Sequence, residues 1–128
     1  MELLRSDVKA QKVEIITEVM DFDDADAAKF WPIYRQYDAD LTKLGDLKLA
    51  LIKDYTDHYA TLSDAKAREL AAGVFDLEHQ RTELKKKYFD RLADALSANT
   101  AARFFQVENQ ILMLLDLQVA SMLPVVKK

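Results

Sequence analysis

The sequence predicts an all-α fold of four helices in antiparallel hairpins, and two observations carry that prediction: turn formers are nearly absent, and one helix-start phrase occurs three times. The 128 residues include two glycines, two prolines and no cysteine, while half are hydrophobic and 31% are charged. Ala, Leu, Lys and Asp are prominent, which is the composition of amphipathic helices and not of a disordered tail. The repeated phrase reads Phe22-Asp23-Asp24-Ala25-Asp26-Ala27-Ala28-Lys29-Phe30, Leu62-Ser63-Asp64-Ala65-Lys66-Ala67-Arg68-Glu69-Leu70 and Leu96-Ser97-Ala98-Asn99-Thr100-Ala101-Ala102-Arg103-Phe104. Each copy sets an apolar residue before an Asp or Ser, then an Ala and a Phe or Leu at helical offsets. Asp23, Ser63 and Ser97 are the expected N-caps, since a short oxygen-bearing side chain satisfies a backbone N–H of the first turn.

A first helix is expected over about residues 6–20, with Val8, Ile15, Ile16 and Val19 on one side. The second, about 24–60, has the seam Phe30, Tyr34, Tyr37, Leu41, Leu44, Leu51, Tyr55 and Tyr59. At about 1.5 Å per residue it would be roughly 50 Å long. Pro32 lies beyond its first turn, so a kink or a restart is expected near Trp31, where the ring removes a hydrogen bond and crowds Ala28. The third helix, about 63–95, carries Leu70, Val74, Leu77, Leu84, Tyr88, Leu92 and Ala95, with Gly73 marking a close backbone approach. The fourth, about 98–123, stops before Pro124 and forms an αα-hairpin with the third. Its run Ile111-Leu112-Met113-Leu114-Leu115, followed by Leu117, wraps apolar side chains most of the way round, which suits a central core helix or one buried in a partner. No linker or low-complexity segment divides the chain, so residues 1–128 read as one helical domain.

Charge and residue types narrow the function classes. A net charge of −4, with Lys85-Lys86-Lys87 as the longest basic run, argues against nucleic-acid binding. The absence of cysteine removes disulfides, thiol catalysis and thiolate zinc sites. No window approaches a membrane span, and the N-terminus lacks the basic start and long apolar stretch of a signal peptide.

Three charged residues interrupt the apolar seams: Lys48 between Leu44 and Leu51, Arg81 between Leu77 and Leu84, and Glu108 between Phe104 and Ile111 or Leu115. They are expected to form a buried polar pair or cluster, with Glu108 partly buried against Arg81, because an unpaired buried carboxylate costs several kcal/mol. The alternative is that Lys48 and Arg81 snorkel to the surface. Either way the role is structural, since no partnered nucleophile, phosphate loop or second acid accompanies them. Asp54 with His58 and His79 with Glu83 are spaced to share helix faces, but they fall too far apart along a hairpin to meet at one ion. The cluster Asp21, Asp23, Asp24 and Asp26 lacks the glycine and the final glutamate of a calcium loop, and suits the positive end of a helix dipole. No catalytic residue, metal site or cofactor is therefore assigned, and enzyme function is disfavoured. The surface residues expected to meet a client or a second copy are Trp31, Leu112, Met113 and Leu117.

The helix openings Leu62-Ser63 and Leu96-Ser97, the long helical hairpin, and the stretches Ala28-Lys29-Phe30-Trp31-Pro32-Ile33-Tyr34 and Ala101-Ala102-Arg103-Phe104-Phe105-Gln106-Val107-Glu108 resemble the Spy/CpxP-like family of bacterial periplasmic proteins. The family signature is Leu-Thr-x-x-Gln at helix starts. Here Ser or Asp replaces the Thr, and Asp26, Lys66 and Thr100 stand in place of the Gln. The resemblance implies a thin, elongated dimer of long helices and a periplasmic location, with any signal peptide already removed. It also implies a stress-response chaperone that binds unfolded clients without ATP. The alternative is a helical interaction or regulatory module that docks a sensor domain or a second copy of itself; a metal-responsive sensor ranks below both.

Overall fold

The computed structural model describes residues 2–128, with side-chain environments from Asp7 onward. Among the described residues the chain is all-helical, with four α-helices: α1 (Glu2–Met20), α2 (Asp24–His58), α3 (Asp64–Ala95) and α4 (Ala98–Met122). A single 3-10 turn, Tyr59–Thr61, joins α2 to α3.

The repeated phrase builds the same corner each time. Asp23 Oδ1 accepts from the Asp26 N–H at 2.8 Å, and the Ser63 and Ser97 hydroxyls accept from the Lys66 and Thr100 N–H groups, each at 3.1 Å. The cap carbonyls then accept from Ala27, Ala67 and Ala101 at 2.9, 2.9 and 3.0 Å, starting the helical ladder. Two turns on, Phe30, Leu70 and Phe104 are all buried, so one phrase supplies both the cap and the first core anchor. Entry into the first of these corners is different. Asp21 adopts φ 48° just past α1, and its N–H reaches the Thr17 carbonyl at 3.2 Å, a left-handed C-terminal cap made without glycine.

α2 continues through Pro32 as one 35-residue helix, so the restart considered near Trp31 does not occur. An interior proline costs a helix about 3 kcal/mol. Burial of Phe30, Tyr34 and Tyr37 on either side of it supplies the compensating tertiary packing.

The chain packs as two compact units, one of Met1–Trp31 with Phe89–Val125, the other of Pro32–Tyr88 with Val126–Lys128, and α2 and α3 contribute to both. In the first unit α1 and α4 run antiparallel, as the pairs Lys12–Glu108 and Val19–Arg103 show. Its core holds Ile16, Phe30, Leu92, Ala101, Phe104, Phe105 and Leu112. The rings of Phe30 and Phe104 meet edge to face at 5.2 Å and those of Phe104 and Phe105 at 4.8 Å, the arrangement that ring quadrupoles favour.

The second unit is the antiparallel hairpin of α2 and α3. Tyr37 packs edge-on against Tyr88 at 5.5 Å, and the Tyr88 hydroxyl donates to Asp40 at 2.7 Å. Nearer the turn Leu51 lies against Gly73, where an added Cβ would come within 2.6 Å of Leu51 Cδ2. Two helices can cover each other along a single line only. Most of this seam, including Leu44, Lys48, Leu51, Leu77 and Arg81, is accordingly half-buried.

The apolar side expected for α1 is corrected. Its inward row is Val8, Lys12, Ile16 and Met20, strictly four apart, while Ile15 and Val19 are exposed together with Val13. Packing along an i, i+4 row selects one narrow line of side chains, and a lysine occupies a place on it.

Candidate binding surface

α4 has two faces of different character. Ala101, Phe104, Phe105, Glu108 and Leu112 recur at steps of three and four and are buried in the first unit. Opposite them, Met113, Leu114 and Leu117 are 69, 65 and 65% exposed, while Met122, five turns beyond Phe104 on the inward row, is 74% exposed at the end of the helix. The remaining exposed positions from residue 109 to 122 are Asn109, Gln110, Gln118, Ala120 and Ser121, so this stretch of outer face carries no charge. Asp116, its one acidic residue, is half-buried. A helix wrapped in apolar residues thus divides into a core side and a bare side.

Of the four surface residues expected from the sequence, Met113 and Leu117 lie on the bare side. Leu112 does not: it is 7% exposed and belongs to the core. It follows Glu108 by four residues and so falls on the inward row, one residue round from Met113. Trp31 is half-buried, with its ring edge-on to Phe30 at 4.9 Å. Leu114 completes the face and is not among those four residues. The sequence signal that locates it is the lack of Lys, Arg, Asp or Glu from Asn109 to Met122 apart from Asp116.

Beneath this helix lies a buried ion pair. Lys12 Nζ donates to Glu108 Oε2 at 2.9 Å, and the two side chains are 4 and 0% exposed. The ion pair of Glu108 is therefore with Lys12 of α1, a residue outside the expected cluster of Lys48, Arg81 and Glu108. α1 approaches α4 directly and brings a cation whose four-carbon stem is buried while its ammonium reaches the carboxylate. Lys48 and Arg81 fall in the second unit, half-buried on the α2–α3 seam.

At the hairpin turn, Lys66 Nζ sits 2.8 Å from Asp54 and 3.1 Å from Glu69, and His58 Nδ1 sits 3.0 Å from Asp54. The hydrogen bond from Lys66 holds the Asp54 carboxyl below the usual carboxylate range, and the bond to Asp54 pushes the Lys66 ammonium up. This is a structural clasp that joins the end of α2 to the start of α3. Asp54 spends its carboxylate on a lysine, which leaves its pairing with His58 poorly suited to chelation. Among the described residues no group of three or more His, Cys, Asp or Glu side chains gathers as a metal site.

A shallow cleft of about 480 Å³ opens at the α1–α2 corner, lined by Met20, Asp21, Phe22, Asp23, Asp26, Thr100 and Arg103. Its acidic groups serve the helix ends: Asp23 is the α2 cap and Asp21 the α1 stop, and Arg103 donates to the Val19 carbonyl at 2.9 Å. No described helix is long and apolar enough to cross a membrane. No family model, curated protein or solved structure matches this chain.

Proposed function

We propose that the protein is an ATP-independent chaperone that holds apolar segments of unfolded polypeptides against the outer face of α4, acting in the periplasmic stress response that the family resemblance implies. The observation that supports this reading is the bare face itself. In a chain of which 31% is charged, an exposed helical surface bearing Met113, Leu114 and Leu117 and no charge is unusual. Its side chains are flexible thioethers and γ-branched aliphatics, which adapt to varied apolar partners without demanding one shape. The flanking Gln110, Gln118 and Ser121 offer hydrogen bonds to an extended backbone without the desolvation cost of a fixed charge.

Aggregation of a reduced or heat-unfolded client, followed by light scattering with the protein in several-fold molar excess, tests the reading. Suppression by the native chain and its loss in Met113→Glu/Leu117→Lys is the expected result. No suppression by the native chain removes the chaperone reading.

The competing reading, a homodimer or regulatory module sealed through the same face, is favoured by the spacing of Gln110, Met113, Leu117 and Ser121, whose steps of three, four and four keep them in one stripe along the helix. Sedimentation separates the two. A dimer at micromolar concentration that Leu117→Lys dissociates supports self-association, and a monomer that still suppresses aggregation supports the client.

A further inference from the structure

We infer that α1 is a displaceable strap on α4, latched by the Lys12–Glu108 pair and hinged at Asp21, whose release widens the apolar surface; its role in client capture rests on the function proposed above. α1 meets α4 along the row Val8, Lys12, Ile16 and Met20, and α4 answers with Phe104, Glu108 and Leu112, also four apart. The antiparallel register set by Lys12–Glu108 brings Ile16 opposite Phe104 and Val8 opposite Leu112. The centre of the contact is thus an ion pair, where an apolar pair would ordinarily sit.

That choice makes the docking conditional. A buried ion pair roughly breaks even against an apolar pair while both charges are present, and becomes strongly unfavourable once one partner is neutralised. Three further apolar side chains of α1, Val13, Ile15 and Val19, lie outside that row and are exposed. The helix ends at Met20 and the chain turns at Asp21, a non-glycine residue at φ 48°, two residues before the α2 cap Asp23. Swinging α1 away would relax that residue and uncover Phe104 and Leu112 beside the face that already carries Met113 and Leu117.

Hydrogen exchange of the full chain decides this, read together with aggregation suppression for the native protein, Glu108→Gln and Lys12→Met/Glu108→Leu. In the native chain, amides from Lys9 to Val19 should exchange as a group, roughly tenfold or more faster than those from Ala101 to Leu112. Glu108→Gln should widen that gap and increase suppression, and the apolar double variant should close the gap and reduce suppression. Equal protection of α1 and α4 in the native chain overturns the strap. So does a double variant whose α1 exchange is unchanged, and this arm keeps the test decisive if Glu108→Gln unfolds. Separate opening of α1 with no suppression by any variant leaves the strap standing and removes the client reading.

Discussion

Lys12 and Glu108 meet at 2.9 Å across α1 and α4, with both side chains withdrawn from solvent. A charge pair at that depth ties the register of two helices that are nearly a hundred residues apart in the chain. Sliding α1 by a turn in either direction would leave a charge facing Phe104 or Leu112. It also makes the two residues energetically inseparable.

Glu108→Leu alone or Lys12→Met alone should destabilise the chain by about 3–5 kcal/mol, because each strands one buried charge. The double variant Lys12→Met/Glu108→Leu should return to native stability or exceed it by about 1–4 kcal/mol. Urea denaturation of all four proteins, analysed as a double-mutant cycle, checks this. Additive single losses would show that the pair is not coupled.

The clasp at the hairpin turn should appear in the acid limb of stability. Asp54 is held below its ordinary range, chiefly by the hydrogen bond from Lys66, so its contribution is full above the unfolded carboxylate value and is lost as pH falls through the folded one. Lys66 is raised, so its contribution is full below the ordinary lysine value and is lost as pH rises through the folded one. Asp54→Asn should therefore flatten the loss of stability below about pH 4 and lower stability at neutral pH. Thermal melts across the pH range provide the measurement. Because both groups are partly solvated, the effect should shrink in high salt.

Gly73 should tolerate Ala and refuse anything larger. An alanine gains about 1 kcal/mol of helix propensity. Its Cβ would overlap Leu51 Cδ2, the free end of a half-buried side chain, and moving that rotamer costs about 0.5–1.5 kcal/mol. Gly73→Ala is thus expected to change stability little, while Gly73→Leu should cost about 1–3 kcal/mol through overpacking. Circular dichroism melts distinguish the two.

Asp21→Gly should stabilise the isolated chain by about 0.5–1 kcal/mol, since glycine adopts the left-handed conformation at φ 48° without a Cβ penalty. It also removes a carboxylate from the negative end of the α1 dipole. A rise in melting temperature of a few degrees is expected, and no rise would mean that Asp21 sits there without strain.

The helical class, the four segments and the long second helix are legible in the chain because their causes are local. A cap such as Ser97 reaches a donor three residues on, at Thr100, and a stop such as Pro124 acts within one turn. Pro32 shows where local reasoning weakens: its ring favours a break, and the buried aromatic residues around it keep α2 continuous.

By itself, then, the sequence determined where helices begin and end, through hydrogen bonds spanning three or four residues. Tertiary structure decided which side of each helix faces inward: Ile16 over Ile15 on α1, Leu112 over Met113 on α4, and Lys12 as the partner of Glu108. These choices depend on the register between α1 and α4, a long-range packing condition. Neighbouring apolar residues such as Ile15 and Ile16 are chemically alike, so only the helix that arrives against them tells them apart.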